Sequence, residues 1–261
     1  MGELIVSENG DYKKYEELLL RRDQLLKEAG GIHTLYMQEF GDLLVELFEV
    51  NVECIKKRKM IAYCIGAVNH GQAIDVQELN RQIAYEMAVY EDQLKAMALD
   101  NKSAKDAKSS PSYKVERAKR IYRRLARLIH PDINPEAFKL EQVRELWDRI
   151  VKAYHLNDDD ALSDLEVLVS RALKDNGDIT VDVTVDDIDD RIRRVEDEIN
   201  DILTNEPYTY KELIESEQKT TAKKQELKGQ IEAEKKASAE LSKILQEILT
   251  EGGVPIAWIQ D

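Results

Sequence analysis

The sequence predicts an all-α protein, and three observations carry that expectation. Charged residues are 34% of the 261 residues and aromatics only 6%, with 11 Gly and 5 Pro, a balance that suits long charged helices rather than sheets and tight turns. Apolar residues recur at threes and fours over most of the chain, the period of a helix with one buried face. No apolar run reaches the ~18 residues of a membrane span. The expected arrangement is an antiparallel helical hairpin, flanked by an N-terminal helical bundle in residues 1–100 and a C-terminal coiled-coil hairpin, and each element has its own signals.

Within residues 11–29, Tyr15, Leu18, Leu19, Arg22, Leu25 and Leu26 define one face, and Gly30-Gly31 supplies a helix stop. A second helix, 34–68, carries Leu35, Phe40, Leu43, Leu44, Leu47, Phe48, Val52 and Ile55 over so wide a face that it must be buried. Asn69-His70-Gly71 breaks it, and Asp75 with Glu78 offers a capping-box variant for a third helix to Leu99. Residues 101–112 are polar, aperiodic and end near Pro111, the signature of a linker.

A second unit, 113–173, opens with a basic helix that ends at His130-Pro131-Asp132. The next helix places Val143, Leu146, Trp147, Ile150, Ala153 and Tyr154 on one face, so Trp147 and Tyr154 read as core residues rather than a stacking platform. Asp158, Asp159 and Asp160 then put negative charge at the solvated start of a further helix; the EF-hand pattern that calcium would need is missing. Ile179, Val181, Val183 and Val185 alternate with polar residues, but a lone strand has no partner, so 174–186 reads as an acidic extended linker. In 187–250, Ile188, Ile192, Val195, Ile199 and Ile202 form one seam, and Leu227, Ile231, Glu234, Ser238, Leu241, Leu245 and Ile248 a second, with the turn at Pro207. These are expected to pair as a coiled-coil hairpin and to allow a homodimer. The tail 251–261 is apolar at Val254 to Ile259, which implies packing or peptide binding.

A formal charge of −14 argues against nucleic acid or an anionic membrane as the partner of the whole molecule. Residues 113–156 carry +5, leaving −19 on the rest, so nucleic acid is not the expected partner even of the basic helix. Cys54 and Cys64 lie ten residues apart in one helix, where they cannot bridge each other, and a reducing cytoplasm is the expected compartment. The amino terminus has Glu3 and no apolar stretch of signal length. With no Gly-rich phosphate loop, GxSxG or HExxH, neither an enzyme nor a cofactor is expected.

The informative stretch is Tyr122 to Pro135. Pro131 pushes the residue before it out of helical geometry, which is expected to leave His130 and Asp132 on an exposed, stiffened corner. From Lys114 to Arg127 there are seven bases and one acid, and Lys119, Arg120, Arg123, Arg124 and Arg127 make a positive face that wants an acidic partner. A metal site from His130, Asp132 and His155 is disfavoured, because an antiparallel hairpin sets His155 about 20 Å from His130.

This stretch resembles the J-domain (DnaJ-like) co-chaperone family, in which a basic helix precedes a His-Pro-Asp loop and an aromatic-x-x-Ile-x-x-Ala-Tyr helix follows it, here Trp147, Ile150, Ala153 and Tyr154. The resemblance covers residues 113–156. It implies docking on a DnaK-class chaperone, with Asp132 triggering the partner's ATP hydrolysis and His130 and Pro131 giving the loop its shape. Arg123, Arg124 and Arg127 would steer association, and Lys119, Arg120 and Asn134 belong to the same implied partner-binding set. The family's Tyr-Tyr-x-x-Leu-Gly first helix does not precede Tyr113; either the helix 75–99 takes its place or the unit is a trimmed hairpin. The Gly/Phe-rich segment and CxxC repeats of full-length members are absent. The alternative is a scaffold that keeps the hairpin as architecture and dimerises through its coiled coil.

Overall fold

The computed structural model describes residues 2–175 and 188–251, and among them every regular element is helical. The all-α expectation holds. In order, the helices are α1 (Gly2–Asn69), α2 (Val76–Asp106), α3 (Ser112–Ile129), α4 (Pro135–Phe138), α5 (Glu141–His155), α6 (Asp159–Asp175), α7 (Ile188–Thr204), α8 (Lys211–Ile214) and α9 (Glu217–Glu251), with a 3₁₀ turn at Tyr208–Tyr210 before α8. None of the described helices is long and apolar enough to cross a membrane.

The chain forms two compact units, residues 1–32 with 108–209 and residues 33–107 with 210–261. This departs from the sequential division read from the sequence, and α1 is the reason. It runs unbroken through Gly30 and Gly31, neither of which has a positive φ. Each glycine costs about 1 kcal/mol relative to Ala, a weak penalty beside the packing of both flanks. The Gly pair therefore marks the boundary between units, at Ile32, and not a helix end.

The first unit has a single core. Tyr15, Leu19 and Leu20 of α1 pack with Ile121, Leu125 and Ile129 of α3, Val143, Trp147 and Ile150 of α5, Leu162, Leu165 and Val169 of α6, and Ile192 and Val195 of α7. Helix α1 therefore packs in this core, whereas Leu79, Ile83 and Met87 of the helix expected at 75–99 belong to a cluster of the second unit. Helix α7 also corrects the sequence reading: its seam lies in this core and not against α9. Asp159 is a further correction, because it is 1% exposed, with Lys114 Nζ at 3.3 Å and Arg117 Nη1 at 2.8 Å.

The second unit is built from the rest of α1, α2, α8 and α9. One cluster joins Cys64, Ile74, Leu79, Ile83, Met87, Leu245 and Leu249, and another joins Tyr36, Met37, Phe40, Ala104 and Leu227. The coiled-coil seam expected on α9 is thus buried within its own chain. Asp75 caps α2 by accepting from the backbone N–H groups of Gln77 and Glu78. Helix α2 continues into the expected linker because Asn101 and Ala104 are buried. Gly41 makes that possible: a Cβ there would sit 2.2 Å from Asn101 Oδ1. Cys54 and Cys64 are free and buried. The alternating segment at Ile179–Val185 and the tail Val254–Ile259 lie outside the described residues.

Candidate functional site

The corner 130–134 is built by the end of α3. Ala118, Ile121, Tyr122, Leu125, Ala126 and Ile129 face inward at helical spacing, which turns Arg120, Arg124 and Arg127 out to solvent. At His130 the backbone turns extended, φ −61° and ψ 134°, as the following Pro131 requires. The His130 carbonyl accepts from the N–H groups of Ile133 (3.1 Å) and Asn134 (2.7 Å), closing the turn. Asn134 uses its side chain twice within the chain: Oδ1 accepts from Ala137 N–H at 3.2 Å to cap α4, and Nδ2 donates to the Leu128 carbonyl at 2.9 Å. Tyr12 Oη donates to the Ile133 carbonyl at 2.5 Å, a further tie from α1.

His130 is not on the exposed corner that the sequence implied; it is 3% exposed. Its ring stands edge-on to Trp147, with centroids 5.0 Å apart. The Asp132 backbone N–H donates to His130 Nδ1 at 3.0 Å. With Nδ1 accepting, the hydrogen-bond pattern assigns the ring proton to Nε2, which points at Asp23 Oδ2 3.5 Å away. The physical reason for the burial is α1, whose Asp23 also accepts from Tyr122 Oη at 2.7 Å and from Arg22 Nη2 at 3.2 Å. Burial by itself would raise the Asp23 carboxyl, but hydrogen bonds from His130 and Tyr122, with the charge of Arg22, hold it below its ordinary value. Tyr122 in turn is pushed far up, by burial first and then by Asp23.

Asp132 stands differently. Its side chain is 42% exposed, and the nearest cation is Arg22 Nη2 at 3.7 Å. Arg22 itself divides its guanidinium between Asp23, Asp132 and Glu198 of α7. Behind the corner, Tyr122 stacks on Tyr154 with centroids 3.9 Å apart, and Lys27 Nζ lies 3.7 Å from the Tyr154 ring centre. The Lys27 ammonium is lowered to about 8, by burial and then by the charge of Lys119. A cleft of about 230 Å³ opens here, lined by Arg22, His130, Pro131, Asp132, Trp147 and His155 among others. His155 lines the same cleft, and the contacts between α3 and α5 run in antiparallel order, Tyr122 against Tyr154 and His130 against Trp147. Among the described residues no group of three His, Cys, Asp or Glu is placed to hold a metal ion.

The basic face already has acids within the chain. Arg123 meets Glu17 at 2.7 Å, Arg127 meets Glu16 at 2.5 Å and Glu17 at 2.8 Å, and Arg124 pairs with Glu166 through two bonds of 2.7 and 2.9 Å. Arg120 is exposed and Lys119 half-buried. Arg120, Arg123, Arg124 and Arg127 surround a shallow open basin with Glu17 on its rim. None of Glu16, Glu17, Arg22 and Asp23 was expected at the site. One signal for them was present: Arg22 falls in register with Tyr15, Leu18, Leu19 and Leu25, and an arginine on an apolar face needs a buried acid. Set against protein-family models, curated proteins and solved structures, the chain matches none of them.

Proposed function

We propose that the first unit is a J-domain-like co-chaperone element, which docks on a DnaK-class chaperone and stimulates that partner's ATP hydrolysis. The observation that carries this reading is the half-exposed Asp132 carboxylate, held at the tip of a basic helix by a turn whose shape is fixed from within. In this account His130 shapes the loop, Pro131 stiffens it, and Asp132 makes the productive contact. The arginine basin steers an acidic surface toward it. The in-chain pairs on that basin are no bar, since exposed ion pairs contribute only about 0.2–1 kcal/mol each and exchange readily for a partner's carboxylates. The hydrolytic chemistry belongs to the partner. A reducing cytoplasm suits the reading, given two free thiols.

A second reading has a specific observation in its favour. Glu16, Glu17 and Arg22 of α1 answer the charges of Arg123, Arg127 and Asp132, as they would if the motif served only to fasten α1 to the unit. The chain is then a scaffold. Steady-state ATP turnover by a purified DnaK-class protein, with the wild-type chain and with Asp132→Asn, separates the two. Stimulation that the substitution removes supports the co-chaperone; equal turnover with both chains leaves the scaffold.

A further inference from the structure

Among the described residues, the second unit carries an uncovered stripe on the outer face of α2. Leu79, Ile83 and Met87 are buried in the unit's core, whereas Tyr85, Val89 and Leu99 are 85%, 63% and 65% exposed. At about 100° per residue, the exposed set lies opposite the buried one. Gln82, Tyr85, Val89, Asp92, Ala96 and Leu99 step by three and four, the spacing of a coiled-coil seam.

The flanks of this stripe say what covers it. One flank, stepping by seven, reads Arg81, Ala88, Lys95, Lys102; the other reads Glu86, Gln93, Asp100. Bases line one side and acids the other. In a parallel pair of identical helices, each flank meets the opposite flank of its mate, so Arg81 faces Glu86 and Lys95 faces Asp100 across the seam, twice by symmetry. An antiparallel pair would set base against base and acid against acid. We infer that α2 is a homodimerisation helix, joining two copies of this chain in parallel through Tyr85, Val89, Ala96 and Leu99. It takes over the role expected of the coiled-coil hairpin 187–250, whose seams are filled within the chain.

The flanking charges do have in-chain neighbours. Arg81 pairs with Glu78, Lys95 with Asp92 at 3.3 Å, Glu86 with Lys59 at 2.5 Å, and Asp100 with His33 at 2.8 Å. These are exposed or partly exposed pairs that can be shared with a second copy. Asp92 lies on the seam itself, where two copies bring like charges together, so the dimer is held below its full strength and its register is fixed.

Sedimentation equilibrium of the full chain, from low to high micromolar concentration, tests this. The wild type is expected to show a reversible monomer–dimer equilibrium. Val89→Glu with Leu99→Glu, both at exposed positions, is expected to leave a folded monomer, with helicity checked by circular dichroism. Lys95→Glu alone is expected to weaken the dimer about tenfold, since two symmetry-related pairs turn repulsive. Adding Asp100→Lys is expected to restore it, and Asp92→Leu to tighten it. A wild type that stays monomeric at the highest concentration overturns the proposal. So does a dimer untouched by the two glutamates, or a charge swap that fails to recover.

Discussion

The two units solve the problem of helix burial in different ways. The first gathers six helices around one cluster of twenty-three buried residues among those described, while the second divides its burial between clusters of seven and five. In the large core, polar side chains can be enclosed and joined to one another, as Asp23, Tyr122 and His130 are. In the second unit, polar groups sit at points of close helix approach, as Asn101 does against Gly41 and Lys57 Nζ does against Ser238 Oγ at 2.7 Å. A corner that presents a carboxylate in a fixed direction needs the first kind of support.

The contrast breaks first at the cores. Leu125→Ala, at a fully buried position in the first unit, is expected to cost about 4–5 kcal/mol. Leu245→Ala, at a site 7% exposed in the second unit, is expected to cost about 2–3 kcal/mol, because its surroundings collapse more easily. Chemical denaturation followed by hydrogen exchange, resolved by unit, reads both.

The enclosed network comes next. Asp23→Asn is expected to destabilise the first unit by about 1–3 kcal/mol, because it weakens what Tyr122 and His130 are bonded to. The pH dependence follows from the direction of the shift. The folded carboxyl titrates below its ordinary 3.8, so its contribution is present above that value and is lost as pH falls through the folded value. Acid unfolding of the first unit, followed by tyrosine fluorescence, is expected to lose part of its steepness in Asp23→Asn.

Two smaller effects sharpen the comparison further. Gly41→Ala gains helix propensity but drives Asn101 from its buried position and from Asp42, which it meets at 2.8 Å; thermal melts are expected to show a net loss of about 1–2 kcal/mol in the second unit. Glu17→Gln is expected to change stability by less than about 1 kcal/mol. It also frees charge on Arg123 and Arg127, so association with an acidic chaperone surface is expected to be faster at low salt, with a steeper salt dependence.

Much of the helical pattern was legible because each helix buries its own apolar stripe: Trp147, Ile150, Ala153 and Tyr154 lie where their spacing put them. The division into units was not legible, since it depends on which stripes meet. Nothing local in Ile192 and Val195 says that they belong with Leu165 of α6 rather than with Leu227 and Ile231 of α9. The Gly30-Gly31 signal was real but stood for a boundary of packing. At the corner, the motif itself could be read, whereas the burial of His130 could not, because the element that covers it lies more than a hundred residues away in α1.

The claim that the corner is reachable, though it is fixed from within, meets its most direct test in affinity. The dissociation constant of the full chain for a purified DnaK-class chaperone in its ATP-bound state is measured with the wild type and with Asp132→Asn. The wild type is expected to bind and the substitution to weaken binding at least tenfold with the fold intact; the same affinity for both chains would contradict a role for Asp132 in docking.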